Sequence, residues 1–258
     1  MSAATRAVTG LDVGVRDVSR PTGVPLVVVG PLTRTGRELA DRHGGPVLAV
    51  SRGATDTATL QAAGADVVDV AGDELATLLR DVDSVDVAVC ALGPVHPGPV
   101  DLVGDTAGTE RDLAFLRRVL DAAAGRPVRL VLVSSVVALA PTADRRYYGG
   151  FKSLVEQALV ALVAEHPAAR LDVLYPGRLV AGGERTRPWH RLHAGFSGLA
   201  VRVERCLQDR AARSGRRRVV GLDARLWLLV RSLSLVVSGA LPGRIDPPLE
   251  LVGTKETS

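Results

Sequence analysis

The sequence is poor in the residue types that most often build an aromatic core or a metal site. Phe, Trp and Tyr together make up 3% of the 258 residues. We therefore expect a core of Val, Leu and Ala, which suits a buried parallel sheet with continuous aliphatic strands. Cys90 and Cys206 are the only cysteines, so neither a disulfide framework nor a thiolate metal site is predicted.

Targeting signals and long apolar runs are also missing from the sequence. The N-terminus lacks a basic segment followed by an apolar one, the pattern of a secretory signal peptide. Arg231 interrupts the most apolar segment, so no run is long enough to cross a membrane. We predict a cytoplasmic protein with a loose leader over residues 1–23 and a single domain over residues 24–258.

Basic residues are in slight excess, with a formal net charge of +4 and an isoelectric point of about 9.6. The densest basic cluster lies between Arg210 and Arg218. An excess of this size can favour an anionic ligand, but it does not indicate nucleic-acid binding. We interpret most of these charges as solvated surface and predict a small-molecule substrate.

Strand and helix patterns alternate regularly after the leader. Short aliphatic runs predict six strands, at Val24–Gly30, Val47–Val50, Asp66–Val70, Val85–Leu92, Arg129–Val133 and Leu171–Leu174. Helical patterns lie between them, at Arg37–His43, Ala58–Ala63, Glu74–Arg80, Thr109–Ala124 and Lys152–Ala164. Strands separated by helices predict parallel βαβ units with right-handed crossovers.

A glycine-bounded loop, Gly30-Pro-Leu-Thr-Arg-Thr-Gly36, follows the first predicted strand. Glycines at such a turn allow the backbone to approach a ligand closely, and the free N–H groups of the next helix can bind a pyrophosphate. Arg34 stands where a three-glycine fingerprint has its middle glycine. On spacing alone, a plain strand–helix turn is an equally good interpretation.

Arg52 follows Ser51 at the end of the second predicted strand. In a dinucleotide-binding fold, an acidic residue here binds the ribose 2′-hydroxyl, whereas an arginine can pair with a 2′-phosphate. Arg52, with Arg34 as a helper, therefore favours NADP(H) over NAD(H). A solvated loop arginine is the alternative interpretation.

Ser135, Tyr148 and Lys152 form the most specific pattern in the chain. Ser135 ends the fifth predicted strand, and Tyr148 and Lys152 are four residues apart, so they share one helix face. A nearby ammonium favours the phenolate and lowers the tyrosine pKa, and a serine hydroxyl can hold a substrate oxygen. A lone Tyr-x-x-x-Lys is common, but its coincidence with the serine and the glycine loop is not.

The order of these landmarks resembles that of the short-chain dehydrogenase/reductase superfamily. The matching segments are Gly30…Gly36, Asp69-Val70, Ala91-Leu-Gly93, Ser135…Tyr148…Lys152 and Pro176-Gly177. The resemblance covers roughly residues 24–180. It implies an α/β fold of the Rossmann type, with a doubly wound parallel sheet of about seven strands.

The resemblance also implies roles for individual residues. Tyr148 would be the acid/base, Lys152 would bind the nicotinamide ribose and lower the tyrosine pKa, and Ser135 would orient the substrate oxygen. The residues implied to bind the cofactor are Gly30, Thr33, Arg34, Thr35, Gly36, Arg52, Asp69, Val70, Ala91, Gly93, Lys152, Pro176 and Gly177.

The chain departs from the pattern of the superfamily at several positions. Arg34 replaces the middle glycine, and Asp105 stands where many members have an asparagine. Gly149 and Gly150 lie between the tyrosine and the lysine, where each should cost a helix about 1 kcal/mol relative to alanine. Phe151 replaces a frequent serine. We therefore expect an atypical member.

Two segments lie outside these landmarks. Residues 184–215 correspond to a substrate lid, with Trp189, His190 and His193 as substrate candidates, and His96 is a further candidate from the loop after the fourth strand. For each of these lid residues a solvated loop is the better interpretation. Residues 224–241 are predicted to form an apolar helix. Its stripe of Leu226, Leu229, Leu233, Val236 and Val237 predicts a core or oligomer contact, and less readily a membrane-surface helix.

The sequence thus predicts an NADP(H)-dependent oxidoreductase that acts on the carbonyl or alcohol of a metabolite, in secondary metabolism, as a homo-oligomer without a metal. One alternative is an enzyme of the same fold with no net redox chemistry, such as an epimerase, dehydratase, isomerase or cyclase. A second alternative is a non-catalytic NADP-binding sensor.

Overall fold

The computed structural model describes residues 23–62, 64–69, 75–94, 97–181, 188–209 and 215–240. The strands in this part of the chain are β1 (Leu26–Val29), β2 (Val47–Ser51), β3 (Asp66–Asp69), β4 (Val85–Val89), β5 (Val128–Val133), β6 (Ala169–Pro176), β7 (Leu179–Val180), β8 (Ala194–Gly195) and β9 (Arg217–Val220). The α-helices are α1 (Arg34–Arg42), α2 (Ala54–Ala62), α3 (Leu75–Leu78), α4 (Leu102–Ala122), α5 (Val136–Leu139), α6 (Arg146–Ala164), α7 (Phe196–Gln208) and α8 (Leu222–Ala240). The predicted leader lies almost wholly outside the described residues.

Seven of the strands form one parallel sheet in the order β3-β2-β1-β4-β5-β6-β9. Central strand β1 pairs with both β2 and β4, so that Val28 lies opposite Ala49 on one side and Ala88 on the other. A separate two-stranded ladder joins β7 to β8. The predicted seven-stranded parallel α/β fold of the Rossmann type is confirmed.

The core lies on both faces of this sheet. Val27 and Val29 of β1 face one layer, where they belong to a cluster with residues of α4 and α6 such as Phe115 and Leu159. Leu26 and Val28 belong to the opposite layer with residues of α1 and α7, which include Leu39, Leu199 and Val203. Alternate strand residues are buried on both faces, as expected of a doubly wound sheet.

Four helices, α1, α2, α4 and α6, begin earlier than their apolar periodicity predicts. Helix α1 begins at Arg34 because the Thr33 hydroxyl caps it, and α4 begins at Leu102 because Asp101 accepts a hydrogen bond of 3.0 Å from the Gly104 amide. Helix α6 starts at Arg146 and therefore includes Tyr148. Polar and glycine-containing first turns hid these starts from the periodicity.

The seventh strand of the main sheet, β9, begins within the last residues of the basic cluster. Arg217 and Arg218 are exposed at the edge of the sheet, which gave this strand a surface-like sequence. The Arg216 guanidinium lies 2.8 Å from Asp209, and that of Arg217 lies 3.1 Å from Glu156. Both arginines therefore lie at the surface, as predicted, but each also pairs with a carboxylate. Residues 210–214 lie outside the described part.

Helix α8 matches the predicted apolar helix, but its leucine stripe does not face the core. The side that packs carries Ala224, Trp227 and Leu228, in a cluster with Val137 and Tyr148. The exposed side carries Leu222, Leu226, Leu229, Val230 and Leu233, and these residues are 44–64% exposed. Within the described residues, no helix has both the length and the apolarity needed to cross a membrane.

Candidate active site

The predicted site residues converge at the carboxyl ends of the parallel strands. The chain runs outward from β1 to β3 and then returns through β4 on the other side of β1, so the strand order reverses between β1 and β4. Open α/β sheets bind ligands at such a switch point. The glycine loop follows β1, Ala91 to Gly93 follow β4, and Ser135 follows β5.

The glycine loop is closely packed and leaves its helix start open to an anion. Gly30 has a φ of +79°, and a Cβ there would lie 2.5 Å from the Cβ of Ala91, so only glycine fits. The Thr33 hydroxyl donates to the Gly30 carbonyl at 2.8 Å and accepts from the Gly36 amide at 3.0 Å. The first turn of α1 has no acidic residue, so its electropositive end is not neutralised locally.

Arg34 directs its side chain towards helix α7. Its Cζ atom lies 5.3 Å from the centroid of the Phe196 ring. The arginine stands beside an open cleft of about 580 Å³. The cleft is lined from α1 by Arg34, Arg37, Glu38 and Asp41, and from the other side by Ala181, Gly195, Phe196, Ser197 and Gly198. Thr35 and Gly36, by contrast, are buried under the loop.

Tyr148 is buried in the first turn of α6, next to the end of β5. Ser135 caps the short helix α5 by accepting a hydrogen bond of 3.3 Å from the Val137 amide, and its side chain is close enough to Tyr148 to influence the phenol. Burial raises the pKa of Tyr148 from its ordinary value, while hydrogen bonding by Ser135 and the charge of Arg145 oppose this rise. The predicted lowering of the pKa by Lys152 is therefore not what the structure shows.

Lys152 lies one turn further along α6 and is only 6% exposed. Its Nζ donates a hydrogen bond of 2.7 Å to the carbonyl oxygen of Leu92 and lies 5.9 Å from the centroid of the Tyr148 ring. Burial, with a smaller contribution from the charge of Arg52 and against the opposing effect of Asp105, lowers the pKa of Lys152 to about 8. The ammonium is therefore less strongly protonated than an ordinary lysine, which weakens its influence on the phenol.

Of the two glycines between Tyr148 and Lys152, only Gly149 is required by the packing. A Cβ at Gly149 would lie 2.6 Å from the Val137 carbonyl oxygen and 2.8 Å from the Pro141 Cβ. Helix α6 thus approaches α5 and the following loop too closely for any side chain at this position. A Cβ at Gly150 would contact nothing within 4 Å.

Arg52 is held by neighbouring groups, which argues against the alternative interpretation of a solvated loop arginine. Its Nε donates to Asp112 Oδ1 at 3.1 Å, and its Nη2 donates to Asp112 Oδ2 at 2.6 Å. The same Nη2 donates to the carbonyl oxygen of Ala91 at 2.7 Å. Asp112, which lies on α4, is a site residue that sequence reasoning missed, because its helical position predicts no contact with a loop 60 residues earlier.

Asp105 and Tyr147 join the starts of α4 and α6. The Tyr147 hydroxyl donates to Asp105 Oδ2 at 2.7 Å, and the ring of Tyr147 packs against Phe151 with centroids 5.8 Å apart. Desolvation, followed by the hydrogen bond to Asp105, raises the pKa of Tyr147 to about 12. The aspartate at the position of the family asparagine is therefore bound to a tyrosine that the sequence analysis did not single out.

The remaining predicted residues lie around the ends of β3 and β6. Gly177 packs against Asp223, which accepts hydrogen bonds of 2.9 Å from the Arg178 amide and from His193 Nδ1. His193 is thus held by an aspartate, and the His190 ring lies 6.0 Å away from it. Asp69 ends β3 opposite Ser51 and is exposed.

Three of the predicted site residues fall wholly or partly outside the described part of the chain. Val70 and His96 lie outside the described residues, as does the side chain of Trp189. In the described part of the chain, no cluster of three or more His, Cys, Asp or Glu side chains could hold a metal ion.

Solved structures provide the comparison with known proteins. No family model matches the sequence, and no curated protein is significantly similar to it. A short-chain dehydrogenase from Burkholderia cenocepacia in complex with NADP has a TM-score of 0.59 at 17% identity, over 84% of this chain and 96% of that one. A short-chain dehydrogenase from Streptomyces avermitilis has a TM-score of 0.55 at 17% identity, over 85% and 96%.

A third similar structure is the closed form of a serine dehydrogenase complexed with NADP⁺. Its TM-score is 0.54 at 16% identity, over 76% of this chain and 94% of that chain. Identities at this level establish the architecture rather than the activity. The chain therefore has the fold of the short-chain dehydrogenases and reductases.

Proposed function

We propose that this protein is an oxidoreductase of the short-chain dehydrogenase/reductase type, which reduces the carbonyl, or oxidises the alcohol, of a small metabolite. The observation that carries the proposal is the placement of Ser135, at the end of β5, beside the buried phenol of Tyr148 and the buried ammonium of Lys152. These three groups come from the end of β5 and one face of α6, at the switch point of the sheet.

The side chains suit proton transfer to a carbonyl oxygen. Because the pKa of Tyr148 is raised, its phenol is protonated at neutral pH and can act as a general acid. The Ser135 hydroxyl can hold the same substrate oxygen and supports the negative charge that develops on it.

The loop and strand ends fit a nicotinamide dinucleotide, which would supply or accept the hydride. Gly30 to Gly36 would hold its pyrophosphate, since the first turn of α1 lacks an acidic residue and Arg34 is turned towards Phe196. Lys152 would exchange its bond to Leu92 for the nicotinamide ribose, with Pro176 and Gly177 nearby. Arg52 lies at the end of β2, where it favours NADP(H), the cofactor named for two of the similar structures.

The test is to compare Tyr148→Phe with Tyr147→Phe, the matched loss of a phenol one residue earlier. Purified variants are assayed for NADPH oxidation against a panel of ketones and aldehydes, and dinucleotide affinity is measured separately by calorimetry. We expect Tyr148→Phe to lower kcat by at least about 100-fold, as for loss of a general acid, with dinucleotide affinity nearly unchanged. Full turnover by Tyr148→Phe would show that the mechanism is wrong.

A redox-neutral reaction on the same scaffold is the second candidate. It is favoured by the arginine at the middle-glycine position and by the binding of Arg52 to Asp112, which both depart from a simple dinucleotide site. Tyr148 would then act as an acid/base without net consumption of NADPH. Stoichiometric NADPH consumption with a substrate would exclude this candidate.

A further inference from the structure

The hydrogen bonds of Arg52 bear on which dinucleotide the site would select. The guanidinium makes three hydrogen bonds, and all use Nε or Nη2. The edge of the guanidinium formed by these two nitrogens is therefore occupied by Asp112 and Ala91. Among the described residues, Nη1 makes no hydrogen bond. A 2′-phosphate would find a single nitrogen in place of the two-pronged edge that binds phosphate best.

Asp112 also balances the positive charge of Arg52. Asp112 is only 3% exposed and the Arg52 side chain is 27% exposed, so water screens the pair poorly. A carboxylate 2.6 Å from Nη2 cancels much of the attraction that an incoming phosphate would feel. The pair therefore presents a dipole, rather than a net positive charge, to a ligand at the end of β2.

The Arg52–Asp112 pair lies next to Lys152 in the candidate active site. Arg52 donates to the carbonyl of Ala91 and Lys152 donates to the carbonyl of Leu92, the next residue of the same strand end. The Arg52 charge is close enough to Lys152 to lower its pKa. Arg52 and Asp112 therefore lie close to Lys152, on the side where β2 ends.

We propose that Asp112 is a specificity-determining residue, which limits the preference for NADP(H) by neutralising Arg52. The inference rests on the proposed function, since it presupposes that a dinucleotide binds at the switch point. The native protein then binds NADPH and NADH with affinities within about tenfold of each other, a difference of about 1.4 kcal/mol. Removal of the Asp112 charge converts the site into one that selects the 2′-phosphate.

The experiment titrates the full-length protein and Asp112→Asn with NADPH and with NADH by calorimetry. Asparagine retains an oxygen that can accept from Arg52, so the charge changes more than the geometry. We expect NADPH affinity to rise about tenfold in Asp112→Asn, while NADH affinity changes by less than about twofold. Glu110→Gln, an exposed position on the same helix, alters the net charge equally and should change neither affinity.

A second variant keeps the test decisive if Asp112→Asn does not fold. Arg52→Met/Asp112→Leu removes both charges together and leaves no buried carboxylate without a partner. Because the pair is neutral as a whole, the ratio of NADPH to NADH affinity should stay within about threefold of the native ratio.

The outcomes separate this inference from the proposed function. Binding of both dinucleotides with the same affinity ratio in Asp112→Asn overturns the role of Asp112 and leaves the proposed function standing. A native preference for NADPH of 100-fold or more also overturns it. If neither dinucleotide binds to the folded native protein, the proposed function itself fails.

Discussion

The ammonium of Lys152 donates a hydrogen bond of 2.7 Å to the carbonyl oxygen of Leu92, in an environment that lowers the pKa of Lys152 to about 8. Between pH 8 and the ordinary value of 10.5, the unfolded chain binds more protons at this position than the folded chain. The free energy of unfolding therefore rises with pH in this window, and the burial of the ammonium is most costly below pH 8.

The first prediction is that Lys152→Met abolishes turnover but stabilises the fold. Methionine has a similar volume and no charge to bury, so we expect the free energy of unfolding at pH 7 to rise by about 2 kcal/mol. The gain should shrink as the pH rises from 8 to 10, which urea denaturation at several pH values measures. A pH-independent difference would contradict the assigned cause.

The second prediction contrasts the two glycines of α6. Gly149→Ala should lower the free energy of unfolding by about 2 kcal/mol or more, because the new methyl group overlaps the Val137 carbonyl and Pro141. Gly150→Ala should raise it by about 1 kcal/mol, since its Cβ enters open space and alanine favours the helix. Thermal denaturation of both variants checks the pair, and equal effects would show that α6 does not approach α5 this closely.

The third prediction concerns Arg126, which joins the end of α4 to the loop after α3. Its guanidinium donates to five carbonyl oxygens, those of Leu79, Arg80, Val82, Ala122 and Ala123. A lysine has three donors on one atom and cannot reach both groups of carbonyls. We expect Arg126→Lys to lower the free energy of unfolding by about 2 kcal/mol, measured by urea denaturation.

A suitable control is Arg37→Lys, since Arg37 is exposed on α1. The control should change the stability by less than about 0.5 kcal/mol. If Arg126→Lys were equally mild, the carbonyl contacts would contribute little to the fold.

The fourth prediction tests the contacts of Asp223 with His193 and the Arg178 amide. Asp223→Ala removes two hydrogen bonds and a negative charge from the first turn of α8, so we expect a loss of about 2 kcal/mol. Asp83→Ala, at an exposed turn, serves as the control. Protease sensitivity near residues 188–195 should rise in the first variant alone, and an unchanged digestion pattern would argue against this anchoring role.

The parts of the fold that sequence predicts best are those in which one residue type repeats. The aliphatic strands and the position of Ser135, Tyr148 and Lys152 follow from local pattern, because each depends on neighbours a few residues away. Strand β9 was missed because Arg217 and Arg218 carry charge at an edge, where solvent rather than packing decides the composition. The start of α4 was missed because Asp101, a cap, stands outside any apolar period.

The electrostatics of the site depend on partners that are distant in sequence. Considered alone, Arg52 predicts a contact with the 2′-phosphate of NADP(H). The spacing of Tyr148 and Lys152 predicts a lowered pKa for Tyr148. In the structure, Asp112 balances the charge of Arg52. Burial raises the pKa of Tyr148, which reverses the direction of the predicted shift. Neither follows from spacing, since both depend on which elements pack together across the sheet.

The late position of β9 has a consequence for synthesis of the chain on the ribosome. Strand β6 is complete at Pro176, but its second partner begins at Arg217, about 40 residues later. Until that segment emerges, the backbone groups on one edge of β6 remain unpaired, and such an edge can associate with other nascent chains. Stalled translation between these two strands therefore leaves this edge of β6 open to aggregation and to capture by chaperones.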